Sequence, residues 1–484
     1  MTKKKTPRKA ARTKDLGHAE HSKSSRTAGL PGKMERPVKV TFIGAGSGFA
    51  ARISTDLMSI PGNAGGTFVL VDIDGDRLRR MKKLVTRIKE ALGAEKWDIV
   101  ADTDRTKVLP GSDYVVNSIE VSGMECVRLD NDIPAKYGID QCIGDTIGPG
   151  GLFKALRTGP VLLDILRDVR ELAPRAIFLN YTNPMAALCL AAFRSVPDVP
   201  LVGLCHSVQG TSDLMAREAG VPYEELRWEC AGINHLAWFS RLEHKGEDLY
   251  PTLMAKWEKE LQDHLKGKTG PKDIVRKDMA LHFGGFITES SGHLSEYLPY
   301  YRKRKDLVRD YMRPKYEGES SFYANNWPKW RENSDTERDR MISGEEELKL
   351  DRSWEYGSFI VEAREKGMPY RIHGNVYNAS TGAAGQLIAN LPADGCVEVP
   401  VMVDANGLNP CRVGELPPQM ASVCASNMAV FDRMADAIIH KSVEAAVHAL
   451  LLDPLTAAVC SPREIKAMAM ELFETEKDYL PGFA

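Results

Sequence analysis

Residues 201–211 read LVGLCHSVQGT and set Cys205 and His206 side by side just after a short apolar run. His235 follows thirty positions after Cys205, in CAGINHLAWF, again behind a strand-like run. One thiolate and one imidazole, with substrate oxygens completing the shell, suit Mn2+, Fe2+ or Co2+ at a site kept open for substrate. Two protein ligands are too few for a structural zinc site, which takes four. The same residue types equally describe a buried thiol and a core histidine.

A second stretch, VTFIGAGSGFA, carries Gly44, Gly46, Ser47 and Gly48. The spacing departs from G-x-G-x-x-G, because the third glycine comes two positions after the second. The context strengthens it: a strand precedes, a helix follows, and Asp72 closes the next strand 28 positions after Gly44. Glycines there let the backbone approach a pyrophosphate at a helix N-terminus, and the acid can hold a ribose diol. An acid repels a 2′-phosphate, so the expected cofactor is NAD rather than NADP. An ordinary tight turn would look similar.

Two further segments hold reactive side chains. NYTNP places Asn180 and Asn183 at a strand end, where amides can bind sugar hydroxyls or cap a helix. TESSGHLSEYLPYYRKR gathers Glu289, His293, Glu296, Tyr297, Tyr300 and Tyr301. A tyrosine acts as a base if a nearby cation lowers its pKa. A solvated helix with aromatic anchors would have the same composition.

The elements that must position these residues follow from periodicity. VKVTFI, GTFVLVDID, WDIVADTD, SDYVVNSIEV, RAIFLNYTNP and VPLVGLCHS read as strands. FAARISTDLMSI, DRLRRMKKLVTRIKEAL and LRTGPVLLDILRDVRELAP read as helices, the last stopped by Pro174. This alternation indicates an α/β fold with a doubly wound parallel sheet, whose crevice lies at the carboxyl ends of the strands. Gly44, Asn180, Asn183 and Cys205 all fall there. After residue 204 long helices such as LYPTLMAKWEKELQDHLKG mix with strands such as CVEVPVMVDANG, which suits a second, α+β domain. Residues 313–352, charged and aromatic, fit no element clearly.

Net charge is −2, which gives no electrostatic reason to expect nucleic acid or an anionic membrane as partner. No apolar run approaches the roughly 18–20 residues of a bilayer span. Nine scattered cysteines fit buried thiols in a reducing, cytoplasmic compartment. Residues 1–36 are rich in Lys, Arg, Ser and Thr and nearly empty of large apolar residues. Such a segment cannot offset its ordering entropy. The expected division is a disordered basic tail over 1–36, a NAD-binding domain over 37–204, and a catalytic, substrate-binding and oligomerisation domain over 205–484.

Taken together, FIGAGSG, IPAKYGI, GDTIGPGG, NYTNP, CHSVQGT, CAGINH, TESSGHLSEY, NLPADGCVEVP and the closing DYLPGF resemble glycoside hydrolase family 4 from about residue 38 to the C-terminus. The CHSV form and the TESS segment resemble its α-galactosidase, melibiase-type branch. The resemblance implies a lactate/malate-dehydrogenase-like Rossmann domain with a mixed C-terminal domain. It also implies NAD and a divalent metal, usually Mn2+ but also Fe2+, Co2+ or Ni2+, and a homodimer or homotetramer.

The family departs from two-carboxylate glycosidases. The implied route is transient oxidation at C3 by NAD, removal of the acidified C2 proton, elimination of the C1 aglycone, addition of water and return of the hydride. Cys205 and His235 match the family's metal ligands, Arg128 and Asn183 its sugar-holding positions, and Tyr297 its C2 base, with Tyr300 and Tyr301 close in register. The phospho-glucosidase branch carries an aspartate general acid where this chain has His206. His206 takes that role, sits by the metal, or leaves the role to a water.

The expected activity is hydrolysis of α-D-galactosides. α-Galacturonides come next, because PYYRKRK is basic enough to meet an anionic sugar, and α-glucosides follow. Two other classes remain in view: a lactate/malate-type dehydrogenase, which has no need of Cys205, and a non-catalytic nucleotide-binding protein.

Overall fold

Runs of Val, Ile and Phe bounded by glycine turns fold as the strands of one sheet. The computed structural model describes residues 26–267, 271–379 and 385–483. Its first strands are β1 (Val38–Ile43), β2 (Gly66–Val71), β3 (Trp97–Asp102), β4 (Tyr114–Asn117), β5 (Ile177–Asn180) and β6 (Leu201–Gly203). They lie in the order β3-β2-β1-β4-β5-β6, all neighbours parallel. That is the order of a dinucleotide-binding sheet. β4 and β5 are buried along their whole length, as parallel strands covered on both faces must be.

The chain continues through β7 (Leu226–Ile233), β8 (Leu236–His244), β9 (Glu247–Asp248), β10 (Phe286–Ile287), β11 (Tyr370–Tyr377), β12 (Cys396–Asp404) and β13 (Gly407–Pro410). These strands do not form a separate sheet. β11 pairs antiparallel with β6 through Asn375 and Gly203, and the order runs on through β12, β7, β8 and β10. The expected division at 204/205 therefore falls inside a continuous sheet. Cys205 sits where its parallel part meets its antiparallel part.

The helices follow the expected periodicity with two differences. The helix expected to begin near Leu156 spans Gly148–Leu172. Its glycines, poor helix formers, misled the reading. At Gly159 a Cβ would lie 2.5 Å from Ile438 on the helix Pro418–His440, so close packing requires glycine there. Within 313–352, the helix Phe322–Ser343 buries only Phe322, Ala324 and Arg338, so it lacks the apolar stripe that periodicity detects. No described helix is long and apolar enough to cross a membrane.

Residues 1–25 of the expected tail lie outside the described residues, but 26–36 pack on the body. Met34 is buried. The Arg26 guanidinium lies 3.9 Å from the Tyr223 ring centre and pairs with Asp213 at 2.7 Å. Glu362 accepts from the Leu30 N–H at 2.7 Å and from Lys366 Nζ at 2.7 Å, while Lys366 Nζ also donates to the Leu30 carbonyl at 2.8 Å. The Lys366 and Glu362 side chains are fully buried. Composition counts apolar residues and misses such anchoring by one cation and by main-chain groups. A chain starting at residue 37 should therefore be less stable than one starting at residue 26, by roughly 1–3 kcal/mol. Equal denaturant midpoints and slopes for the two would show that the segment contributes nothing.

Candidate active site

The connections that leave β1 and β4 run to opposite sides of the sheet, so a crevice opens between their carboxyl ends. Gly44 ends β1 there with φ +85°, and a Cβ on it would lie 2.4 Å from the Ser118 carbonyl at the end of β4. The glycine is thus required by the strands' close approach as well as by backbone conformation. A cavity of about 640 Å3 fills the crevice, lined by Gly44, Gly46, Ser47, Gly48 and Asp72 at one end and by Asp145, Lys154, Tyr181 and Asn183 at the other. The Asp72 carboxylate accepts from the Gly46 N–H at 2.7 Å and from the Asp74 N–H at 2.9 Å. It therefore shapes the glycine loop as well as facing the cavity. The helix Phe322–Ser343 roofs the crevice with Tyr323, Trp327, Trp330, Arg331 and Arg338.

Cys205 follows β6, and His235 occupies the turn between β7 and β8 with φ +61°. Glu289, at φ +71°, precedes the short helix Ser291–Glu296. One ligand atom from each of these three lies within 4.8 Å of the others. His235 Nδ1 is buried without a hydrogen-bond partner among the described residues. Burial and the Glu289 carboxylate push the Cys205 thiol up. Burial would also raise Glu289, but His293, His235 and Arg276 hold it below the usual carboxylate range. A half-buried thiol, an orphaned imidazole nitrogen and a carboxylate converging on one point fit a borderline divalent cation. Sequence reasoning did not single out Glu289 as a candidate ligand because it comes from a turn, where no periodicity marks direction.

Glu289 also begins a line in which carboxylates alternate with basic side chains. Its oxygens lie 3.5 Å from His235 Nε2 and 3.4 Å from His293 Nδ1. His293 Nε2 is 3.8 Å from Asp145, Asp145 is 3.5 Å from Lys154 Nζ, and Lys154 Nζ is 3.1 Å from Glu120. Burial would raise Asp145, but Lys154, His293, Thr146 and His235 hold it at about 2. The line joins the Cys205–His235–Glu289 cluster to the dinucleotide crevice.

The other predicted residues divide. Tyr297 is fully buried beside His235, with ring centres 6.3 Å apart and its hydroxyl without a partner among the described residues. Burial and the charges of Asp145, Glu296, Cys205 and Glu289 push its pKa well up. Tyr300 is exposed, and the Tyr301 hydroxyl is engaged by Asp278 at 2.6 Å, so neither competes for its place. Asn183 lines the cavity, whereas Asn180 is spent holding Asn117 and Thr182 together. His206 stands beside Tyr181 and pairs with Glu355. The His206 side chain is largely exposed; partial desolvation lowers its pKa, but Glu355, with Cys205 and Glu289, outweighs this and pushes it up to about 9. Arg128 is not brought to the site: it is exposed and bound to Asn325 at 2.7 Å and Asp132 at 3.0 Å. In PYYRKRK, Arg302 is buried against Asp140, Ser295 and the Gly318 carbonyl, and Arg304 is paired with Asp306. Neither lines the cavity.

Residues 39–221 match the model of the family 4 glycosyl hydrolases, and residues 230–456 match that family's C-terminal domain. The α-galactosidase of Bacillus subtilis (strain 168) is 37% identical over 455 residues, spanning 92% of this chain and 99% of that protein. The α-galactosidase of Rhizobium meliloti (strain 1021) is 38% identical over 453 residues, spanning 92% of this chain and 90% of its own. A 6-phospho-α-glucosidase from gut microorganisms, solved in complex with NAD and Mn2+, shares the fold with a TM-score of 0.76 at 21% identity, over 93% of this chain and 100% of that one. Both the dinucleotide-type sheet and the strands that carry His235 thus fall inside one family's span, and the chain belongs to family 4 of the glycosyl hydrolases.

Proposed function

We propose that this chain is an α-galactosidase that uses NAD and a divalent metal, Mn2+ by preference, as catalysts without net redox change. The observation that carries the reading is the convergence of Cys205, His235 and Glu289 at the end of a charge line that leads into a dinucleotide-type crevice. The relatives named α-galactosidase support the sugar. The α-galacturonide alternative rested on the basic run, whose Arg302 and Arg304 are bound to acids away from the cavity.

In this reading Gly44, Gly46, Ser47, Gly48 and Asp72 hold the dinucleotide, and Cys205, His235 and Glu289 hold the cation. The bound pair supplies a reversible hydride acceptor and a Lewis acid for the sugar's C2 and C3 oxygens. Asn183 orients the sugar. Tyr297, once ionised to the phenolate, takes the C2 proton on its otherwise unpartnered oxygen. Its raised pKa makes it a base only when positive charge is brought beside it, which couples proton removal to a filled site. His206, kept protonated by Glu355, donates to the leaving aglycone. A thiolate ligand works in a reducing compartment, which supports the cytoplasm as the location. Assembly as a homodimer or homotetramer belongs to the same reading.

Incubation with NAD, Mn2+, a thiol reductant and a p-nitrophenyl α-galactoside should release aglycone with no growth of the NADH absorbance. The galactoside should exceed the α-galacturonide and the α-glucoside at least tenfold in kcat/KM, about 1.4 kcal/mol of transition-state binding. NADH accumulation without aglycone would instead indicate a dehydrogenase, and neither signal a non-catalytic protein.

Cys205→Ser, His235→Ala and Glu289→Gln should each weaken Mn2+ binding, titrated directly, about tenfold or more, and lower hydrolysis at least as far. NAD affinity should stay within about twofold. Unchanged metal affinity in Glu289→Gln would reduce the ligand set to the other two.

Tyr297→Phe should abolish exchange of the substrate C2 hydrogen with D2O at an unchanged melting temperature. Exchange at the parent rate would remove Tyr297 from the mechanism.

A further inference from the structure

Arginines crowd the roofed end of the crevice, and all but one are matched. Arg338 donates to the Gly46 carbonyl at 3.0 Å and pairs with Asp335 at 3.0 Å. Arg77 donates to the same carbonyl at 2.8 Å and lies 3.5 Å from Asp335. Arg80 pairs with Asp339 at 2.9 Å. Arg331, on the same helix one turn before Asp335, lines the cavity half-buried, with no hydrogen bond or ion pair among the described residues. Its Nη1 lies 3.6 Å from where a Cβ on Gly123 would stand, at the first turn of the helix Gly123–Lys136.

The surroundings point the same way. Neither the helix Gly123–Lys136 nor the helix Phe49–Met58 has a side-chain cap at its N-terminus, and Ser47 Oγ between them is buried without a partner. Burial and the guanidiniums of Arg77, Arg80 and Arg331 hold Arg338 below its usual pKa despite Asp335, so positive charge there is in excess. A cation beside one uncapped helix start, in a cavity also lined by the glycine loop that opens a second, describes one ligand chemistry, a phosphate-bearing anion.

We propose that Arg331 pairs with the pyrophosphate of the bound dinucleotide, so that the C-terminal half supplies a cofactor-binding residue and the cofactor ties the helix Phe322–Ser343 to the glycine loop. The proposal rests on the reading of this crevice as the NAD site. A guanidinium offers two parallel N–H donors to phosphate oxygens, which a lysine cannot reproduce.

The test uses the full chain with NAD and, separately, ADP as probes, titrated by calorimetry and by quenching of Trp327 and Trp330, which line the same cavity. Arg331→Ala should weaken both ligands about tenfold to a hundredfold. Arg331→Lys should recover part of the loss, and added KCl should weaken the parent more steeply than the alanine variant. Arg340→Ala, exposed on the same helix, is the control. Arg331→Gln keeps the size and decides the matter if the alanine variant does not melt cooperatively. NAD affinity within twofold of the parent in Arg331→Ala, or a loss confined to NAD with ADP unaffected, would overturn the assignment while leaving the NAD reading intact. A parent chain that binds no NAD would overturn both.

Discussion

The carboxylate of Glu289 lies between two imidazoles, and most of the architecture serves to put it there. His235 reaches it from a hairpin of the antiparallel strands, and His293 from the helix that Glu289 itself precedes. Cys205 comes from the end of the last parallel strand. No single local element could bring a thiol, an imidazole and a carboxylate to one point at these sequence separations. The sheet does so because it does not stop at residue 204. β11 and β12, inserted between β6 and β7, set the distance between Cys205 and His235.

That arrangement is costly without a cation. Burial drives up the thiol of Cys205, the phenol of Tyr297 and the carboxyl of Glu398, and the Glu289 charge adds to each. Buried groups of one sign are tolerated only where something neutralises them. Along the crevice, Lys154 does this for both Glu120 and Asp145. At the Cys205 end Arg276 acts on Glu289 only at longer range, and no lysine or arginine forms an ion pair with the cluster among the described residues. On the proposed function a divalent ion would relieve the thiol, the phenol and the carboxylate together, and the residues that look strained as a core would then make sense as a ligand set.

Much of this was legible from residue types, and what was not has physical causes. The parallel, doubly wound part of the sheet follows from alternation of strands with helices, and Gly44, Asp72, Cys205 and His235 stand where strand ends must place them. Glu289 was named in the sequence but not assigned, since two positive-φ turns fix the directions of Glu289 and His235 and no period predicts those. Arg128 matched a motif, yet its direction on an exposed face depends on Asn325 from a helix that periodicity did not reveal. That helix, Phe322–Ser343, is stabilised by ion pairs to the Rossmann half rather than by an apolar stripe. The basic segment 26–36 misled for the same reason: Arg26 is held by rings and a carboxylate, and composition scored it only as charge.

On the proposed function, a hydrolase built on a dehydrogenase-type sheet needs no pair of carboxylates spaced across the scissile bond, because its chemistry would start at C3 rather than C1. What it needs is a hydride acceptor at the carboxyl edge of the parallel strands and a cation beside it. The parallel half provides the first position by the divergence of β1 and β4. The antiparallel half provides the second by continuing the same sheet past β6. The two requirements meet at the seam where Gly203 pairs with Asn375. Two residues beyond that seam comes Cys205, which a dehydrogenase has no use for. On the proposed function the thiol is the point where a redox frame is turned to hydrolysis, and the half-buried line from Glu289 to Glu120 would keep the cation and dinucleotide ends of the site in electrostatic contact.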